Sequence, residues 1–301
     1  MRQVDDYFSM KPNSTLYHYT GIGGLLGIIE SRSVWASHTY YLNDSKEILH
    51  ACDVLNTVLT SKVGEFHGEE QEFVKQFAQW LDTFRRDAFH IFIFSLSEER
   101  SLLSQWRSYT PHGKGVSLGF SPSIFDHILK MPGFRIAQCL YENHQHVELM
   151  SGLLEKMLVT FRQSLPKLDT SKQHPTQKYH GFLENFRNDL LQVLAIVKHS
   201  AFREEREWRI VSPYFPKYTV PSIKFREGAS MLMPYIELEL PAQSETPLLF
   251  DEVILGPSQD NHLSLSALSS YLSNKKACNK SSISGIPFRK WQAGHSAERE
   301  Q

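Results

Sequence analysis

Apolar and polar positions alternate with a period of two in several short runs of this chain, and with a helical period in longer ones. TLYHYT (Thr15–Thr20), SVWAS from Ser33, HIFIFSLS (His90–Ser97), VSLGF from Val116 and FRIAQCLY from Phe134 read as strands. EWRIVSP, SIKFR, MLMPYIELEL and DEVILGP follow in the C-terminal half, with a last strand near SISGIPF. Helical spacing predicts a helix through GIGGLLGIIES capped by Thr20, and one through LNDSKEILHACDVLNTVL opened by an Asp44–Glu47 capping box. Another lies in EEQEFVKQFAQWLDTFRRDAF, where Phe73, Phe77, Trp80, Leu81 and Phe84 form one stripe. EERSLLSQWRSY and NHLSLSALSSYLSNK are helical too, PSIFDHILK is a helix capped by Ser121, and TPHGKG is a turn. From about 147 to 198 two long helical patterns flank the polar loop PKLDTSKQHPTQ, which predicts a helical hairpin inserted between strands. The strands are short and irregularly spaced, without βα alternation. The expected class is therefore α+β, with helices packed on mainly antiparallel strands.

Totals change this picture little. A chain of 301 residues holds one large domain or two, and the expectation here is a single domain over 1–301 with the helical insertion. Lys and Arg number 32 against 33 acidic residues, so no overall field draws the chain to nucleic acid or a membrane. Cys52, Cys139 and Cys278 are far apart and form no Cys-x-x-Cys pair, which suits a reducing compartment. The opening residues, MRQVDDYFSMKPNS, carry no apolar signal region and no run reaches the length of a membrane span. The expectation is a cytoplasmic chain with no membrane partner.

The candidate chemistry centres on FREEREWRIV (Phe202–Val211). If the whole stretch is extended, Glu205, Glu207 and Arg209 share one face, and Glu204 with Arg206, Trp208 and Ile210 takes the other. A salt-bridge ladder on an edge strand and a paired-carboxylate site both fit this pattern. Other motifs fail. Gly21 and Gly23 begin a dinucleotide fingerprint whose third glycine position is Leu26. HGKG lacks P-loop spacing, and there is no hydrolase elbow or zinc signature, so no metal is expected. His18 in mid-strand, Ser95 with Ser97 at a strand end, and Trp106 with Tyr109 on a helix each have ordinary packing roles when taken singly.

Their order along the chain says more. YHYT, SVWAS, YLND, FSLS, QWRSY, GKGVSLGF, EREWRIV, EVILGP and SGIPFR in succession resemble a large bacterial family known only as a domain of unknown function. The resemblance runs over nearly the whole chain and is weakest from 147 to 198. That family in turn looks like a divergent relative of the ADP-ribosyltransferase fold, which implies a split antiparallel sheet core holding NAD in a cleft. What the resemblance implies is an NAD-dependent transferase that cleaves the nicotinamide–ribose bond and passes ADP-ribose to a protein or nucleic acid. It also implies a bacterial toxin or phage-defence effector, paired with an antitoxin or other partner protein. His18 matches a first-strand His, Ser95 and Ser97 a Ser-x-Ser strand, and Glu205 with Glu207 a Glu-x-Glu segment. Glu207 and Glu205 would then be catalytic. His18, Tyr19, Thr20, Asn43, Ser95, Ser97, Trp106 and Arg209 would hold NAD, with Ser97 supporting Glu207. The chain departs from the pattern in two places: the first strand has no Arg, and the stacking aromatic is open among Trp35, Tyr40 and Tyr41. An NAD glycohydrolase and a non-catalytic sensor or partner-binding module on the same fold are the alternatives.

Overall fold

The structure, a computed structural model, describes residues 2–42, 47–84, 90–110, 115–168, 174–217, 220, 222–228, 230–258 and 260–286. Its helices and strands run α1 (Val4–Ser9), β1 (Leu16–Gly21), α2 (Ile22–Ser31), β2 (Ser33–His38), α3 (Glu47–Lys62), α4 (Gly68–Phe84), β3 (Phe92–Ser97), α5 (Leu103–Tyr109) and β4 (Gly115–Phe120). They continue α6 (Asp126–Leu129), β5 (Arg135–Gln138), α7 (Asn143–Ser164), α8 (His180–Glu184), α9 (Arg187–Leu194), β6 (Glu207–Val211), β7 (Ile223–Glu227), β8 (Leu232–Glu239), β9 (Glu252–Leu255), α10 (Asn261–Asn274) and β10 (Ser281–Ile283). The class is α+β, as the pattern predicts.

The chain divides into two compact units. The first takes in residues up to Asn13, Ser33–Glu98 and Phe125–Leu240. Its strands pair antiparallel in the order β5-β6-β3-β2-β8-β7. Its core is helical. Leu149, Met150, Leu153, Leu154, Met157, Leu158 and Phe161 form a fully buried stripe along α7. Phe161 stacks on Phe73 of α4 at 4.4 Å between centroids and meets Tyr179 edge-on at 4.8 Å. The second unit takes in Ser14–Arg32, Glu99–Ile124 and the residues from Pro241 on. Its strands run β10-β9-β4-β1, antiparallel except for the parallel β9–β10 pair. Tyr17, Tyr19, Trp106 and Ile254 make a small aromatic cluster in it.

Several elements differ from the sequence pattern. The second half of the expected hairpin is not one long helix. It breaks after α8 at Asn185, a poor helix former, and leaves α9 at Ala195 so that Val197 bridges Leu140. Thr20 does not cap α2, because it remains in the β1–β4 ladder opposite Val116 and Gly21 takes the cap position. PSIFDHILK starts as a 3-10 turn, Pro122–Phe125, before the short α6. The short helix α1 has no counterpart in the pattern. TPHGKG lies mostly outside the described residues, as do Asn43 and Asp44. Among the described residues no helix is long and apolar enough to cross a membrane.

Candidate functional site

FREEREWRIV is not one extended strand. Ser200–Glu205 is a 3-10 turn, Arg206 adopts a left-handed φ of 43°, and β6 begins only at Glu207. The shared-face expectation for Glu205 and Glu207 therefore fails in its geometry, since Glu205 lies before the strand. The two carboxylates meet by another route. The Lys198 ammonium donates to Glu205 Oε2 and to Glu207 Oε2, each at 2.5 Å. Lys198 arrives there because its backbone N–H donates to Leu140 O at 2.9 Å, which holds the segment after α9 beside β5.

Arg209, two residues along β6 from Glu207, completes the cluster. Its Nε and one terminal nitrogen grip Glu207 at 2.8 and 3.0 Å, while the same terminal nitrogen reaches Glu47 Oε2 at 2.6 Å. Its other terminal nitrogen donates to Ala195 O at 2.7 Å. Glu47, at the start of α3, also lies 3.7 Å from the Lys198 ammonium. Glu47, Lys198, Glu205, Glu207 and Arg209 are all buried. Neither side of β6 faces water, and the strand is paired on both edges by β3 and β5, so the alternative of a salt-bridge ladder on an edge strand does not hold. Sequence reading missed Lys198 and Glu47: the first looks like a helix end, the second like half of a capping box.

Three carboxylates thus face two cations, and the environment divides the acids. Burial pushes the Glu205 carboxyl up, and Lys198 offsets this only in part. Burial works the same way on Glu207, but the Arg209 guanidinium and the Lys198 ammonium overcome it and hold that group far below the carboxylate range. Lys198 and Arg209 are held fully charged by the same acids despite burial. Three of the roughly four lone-pair sites on Glu207 are occupied, which leaves one at Oε1.

The serine strand arrives beside this cluster. Ser97 lies opposite Glu207 and Ser95 opposite Arg209 in the β3–β6 ladder. The Ser97 hydroxyl donates to the Glu205 backbone carbonyl at 2.6 Å, so it positions Glu205, whereas the sequence expectation had it supporting Glu207. From the other flank, Tyr141 Oη accepts from the Glu207 N–H at 2.8 Å. Glu204, one residue away, is exposed. His50, His146 and His199 gather in edge contacts with ring centroids 5.8 and 6.0 Å apart. Among the described residues no set of three His, Cys, Asp or Glu side chains is placed to hold a metal ion.

The remaining candidates belong to the second unit, described by itself. His18 is half-buried on β1 opposite Leu118. Tyr19 meets Trp106 edge-on at 4.8 Å, and its hydroxyl, pushed up to about 12 chiefly by burial, donates to Glu99 O and accepts from the Leu102 N–H. Thr20 packs against Gly24 and Gly115. The Trp106 indole donates to Ser101 Oγ at 3.2 Å. Tyr19, Thr20 and Trp106 are therefore packed and hydrogen-bonded within their own unit.

One family model matches the chain. It is described as Protein of unknown function (DUF2971) and covers residues 105–210. That span holds Trp106, Lys198, Glu205, Glu207 and Arg209, and all of the helical segment in which the sequence resemblance was weakest. His18, Ser95 and Ser97 lie outside it. No curated protein and no solved structure gives a significant match.

Proposed function

We propose that Glu205 and Glu207 are the working carboxylates of an ADP-ribosyltransferase-like enzyme that consumes NAD. One observation carries this reading: two buried acids share a single ammonium, yet their proton affinities are pushed in opposite directions. Two acids held apart in this way are suited to different tasks. Breaking the nicotinamide–ribose bond sends its electron pair to the pyridinium nitrogen and leaves positive charge on the ribose. Nicotinamide departs neutral, so the step calls for fixed negative charge and positioning. Glu207 is locked in its ionised form, with one acceptor site open for a ribose hydroxyl. Glu205, with its raised proton affinity, takes the proton of the acceptor as the new bond forms at the ribose carbon. With water as acceptor, the same pair makes an NAD glycohydrolase. The resemblance supplies the setting, a bacterial toxin or phage-defence effector held by an antitoxin.

A specific observation favours a second reading. Arg209 is engaged on every nitrogen and Glu207 on both oxygens, which is what a structural clamp in a non-catalytic partner-binding module requires. Labelled NAD, incubated with the purified protein and cell lysate, separates these. Label on macromolecules supports the transferase, and free ADP-ribose alone the hydrolase. Loss of either signal in Glu205→Gln, with Glu204→Gln unchanged, ties it to the pair. No turnover by folded protein leaves the clamp.

A further inference from the structure

His38 ends β2, His90 precedes β3, and their imidazoles meet inside the first unit, 0% and 5% exposed. His38 Nε2 lies 3.2 Å from His90 Nδ1. The backbone fixes where the hydrogens stand. His38 Nδ1 accepts from the Tyr40 N–H at 3.2 Å, so the hydrogen of this ring is on Nε2. That Nε2–H donates to His90 Nδ1, which leaves the His90 hydrogen on its own Nε2. Both rings are neutral in this arrangement. A further proton can go only to His38 Nδ1 or His90 Nδ1, and at either it meets an N–H already pointing there.

Aromatic rings pack on the pair. Those of Tyr40, Tyr41 and Phe92 lie 5.5, 5.4 and 5.3 Å from the His38 ring, and Phe215 is bridged to His90. The Arg226 guanidinium reaches Ser37, the residue before His38, on the other face of β2, and as a cation it offers an imidazolium no counter-charge. Burial lowers the proton affinity of His90. What the pair holds is the 3-10 turn Thr39–Tyr41, capped by the His38 side chain and tied by the Thr39 N–H to Ile91 O at 3.1 Å. The closed turn keeps the Thr39 hydroxyl buried without a hydrogen-bond partner among the described residues, a cost that opening to water removes.

We propose that the His38–His90 pair is a proton-released catch on this turn. Neutral, it holds the turn shut; protonated, it lets go. The turn carries Tyr40 and Tyr41, two of the three aromatics open for the stacking role. The sign follows from linkage. In the open form the His90 imidazole regains its ordinary proton affinity, so opening takes up a proton and is favoured as pH falls below about 6.5. The proposal stands without the NAD reading, because it concerns the protein alone.

Amide hydrogen exchange of the full chain, read residue by residue by NMR from pH 7.5 to 5 and corrected for intrinsic rates, tests it. Protection of the Thr39 and Tyr40 amides is expected to fall about tenfold per pH unit below about pH 6.5, the slope of one proton taken up on opening. The β3 amides paired with β6 are expected to keep theirs. His90→Asn, which sets a non-titrating acceptor oxygen near the place of Nδ1, is expected to abolish the slope. His180→Gln, which removes a different imidazole of lowered proton affinity, is expected to leave it intact. A turn that stays protected to pH 5, a slope shared equally by β3, or a slope that survives His90→Asn overturns the proposal. Should His90→Asn fail to fold, the comparison of turn with strand in the wild-type chain decides.

Discussion

At the residue scale the buried acids behave as a unit with one member under less restraint. Removing Lys198 leaves Glu205 and Glu207 without their shared cation, and breaking a buried pair from one side costs about 3–5 kcal/mol. Lys198→Met is therefore expected to lower stability by that order, read from urea unfolding. Glu205→Gln, at a carboxyl whose charged form is disfavoured by burial, is expected to cost far less. Equal losses in the two variants would show that Glu205 is as firmly engaged as its partners. Cys52, Cys139 and Cys278 form no disulfide and are buried, and burial foremost pushes the Cys139 thiol well above its ordinary value. The native protein should not react with a thiol reagent until denatured, when all three titrate. A fast-reacting thiol in native protein would contradict the packing around β5 or α3.

At the element scale two close approaches fix how strands meet their neighbours. A Cβ on Gly115 would fall 2.3 Å from Thr110 and 2.8 Å from the Thr20 carbonyl, inside the β1–β4 ladder. A Cβ on Gly23, on α2, meets nothing within 4 Å. Gly115→Ala is expected to destabilise by about 1–3 kcal/mol through overpacking, while Gly23→Ala is neutral or mildly stabilising by helix propensity. A neutral Gly115→Ala in thermal melts would show that β1 and β4 tolerate wider spacing. In the helical core Phe161 is fully buried between α4 and the Tyr179 segment, so Phe161→Ala is expected to cost about 3–5 kcal/mol.

At the scale of the whole molecule the histidines set the response to acid. Burial lowers the proton affinity of His90, His146 and His180, and His38 Nε2 lies 3.2 Å from His90 Nδ1 in a buried pair. The unfolded chain binds these protons first. The stability they contribute is thus complete above about pH 6.5 and is lost as pH falls through the lower folded values. The melting temperature should drop between pH 7 and 5, and a flat profile there would mean that the imidazoles are not held neutral. Glu205 contributes in the opposite sense, since its raised value favours the folded state in acid. The elements with strong period, β1, β3, β4, α4 and α7, were legible in the sequence because their apolar spacing follows backbone geometry directly. That the serine strand lies beside the acids was legible only through the resemblance in motif order, and the Ser97 hydroxyl goes to Glu205, not to Glu207. Lys198 and Glu47 were not legible: one closes a helical pattern and the other opens one, and neither position marks an ion pair. The sequence by itself determined the strongly periodic helices and strands, since these follow from local steric preference and side-chain period. The tertiary structure alone decided that Glu205 turns in through a 3-10 segment, and that a lysine and an arginine bury themselves with three acids. Those outcomes depend on balancing desolvation against charges brought from distant segments, which no local pattern records.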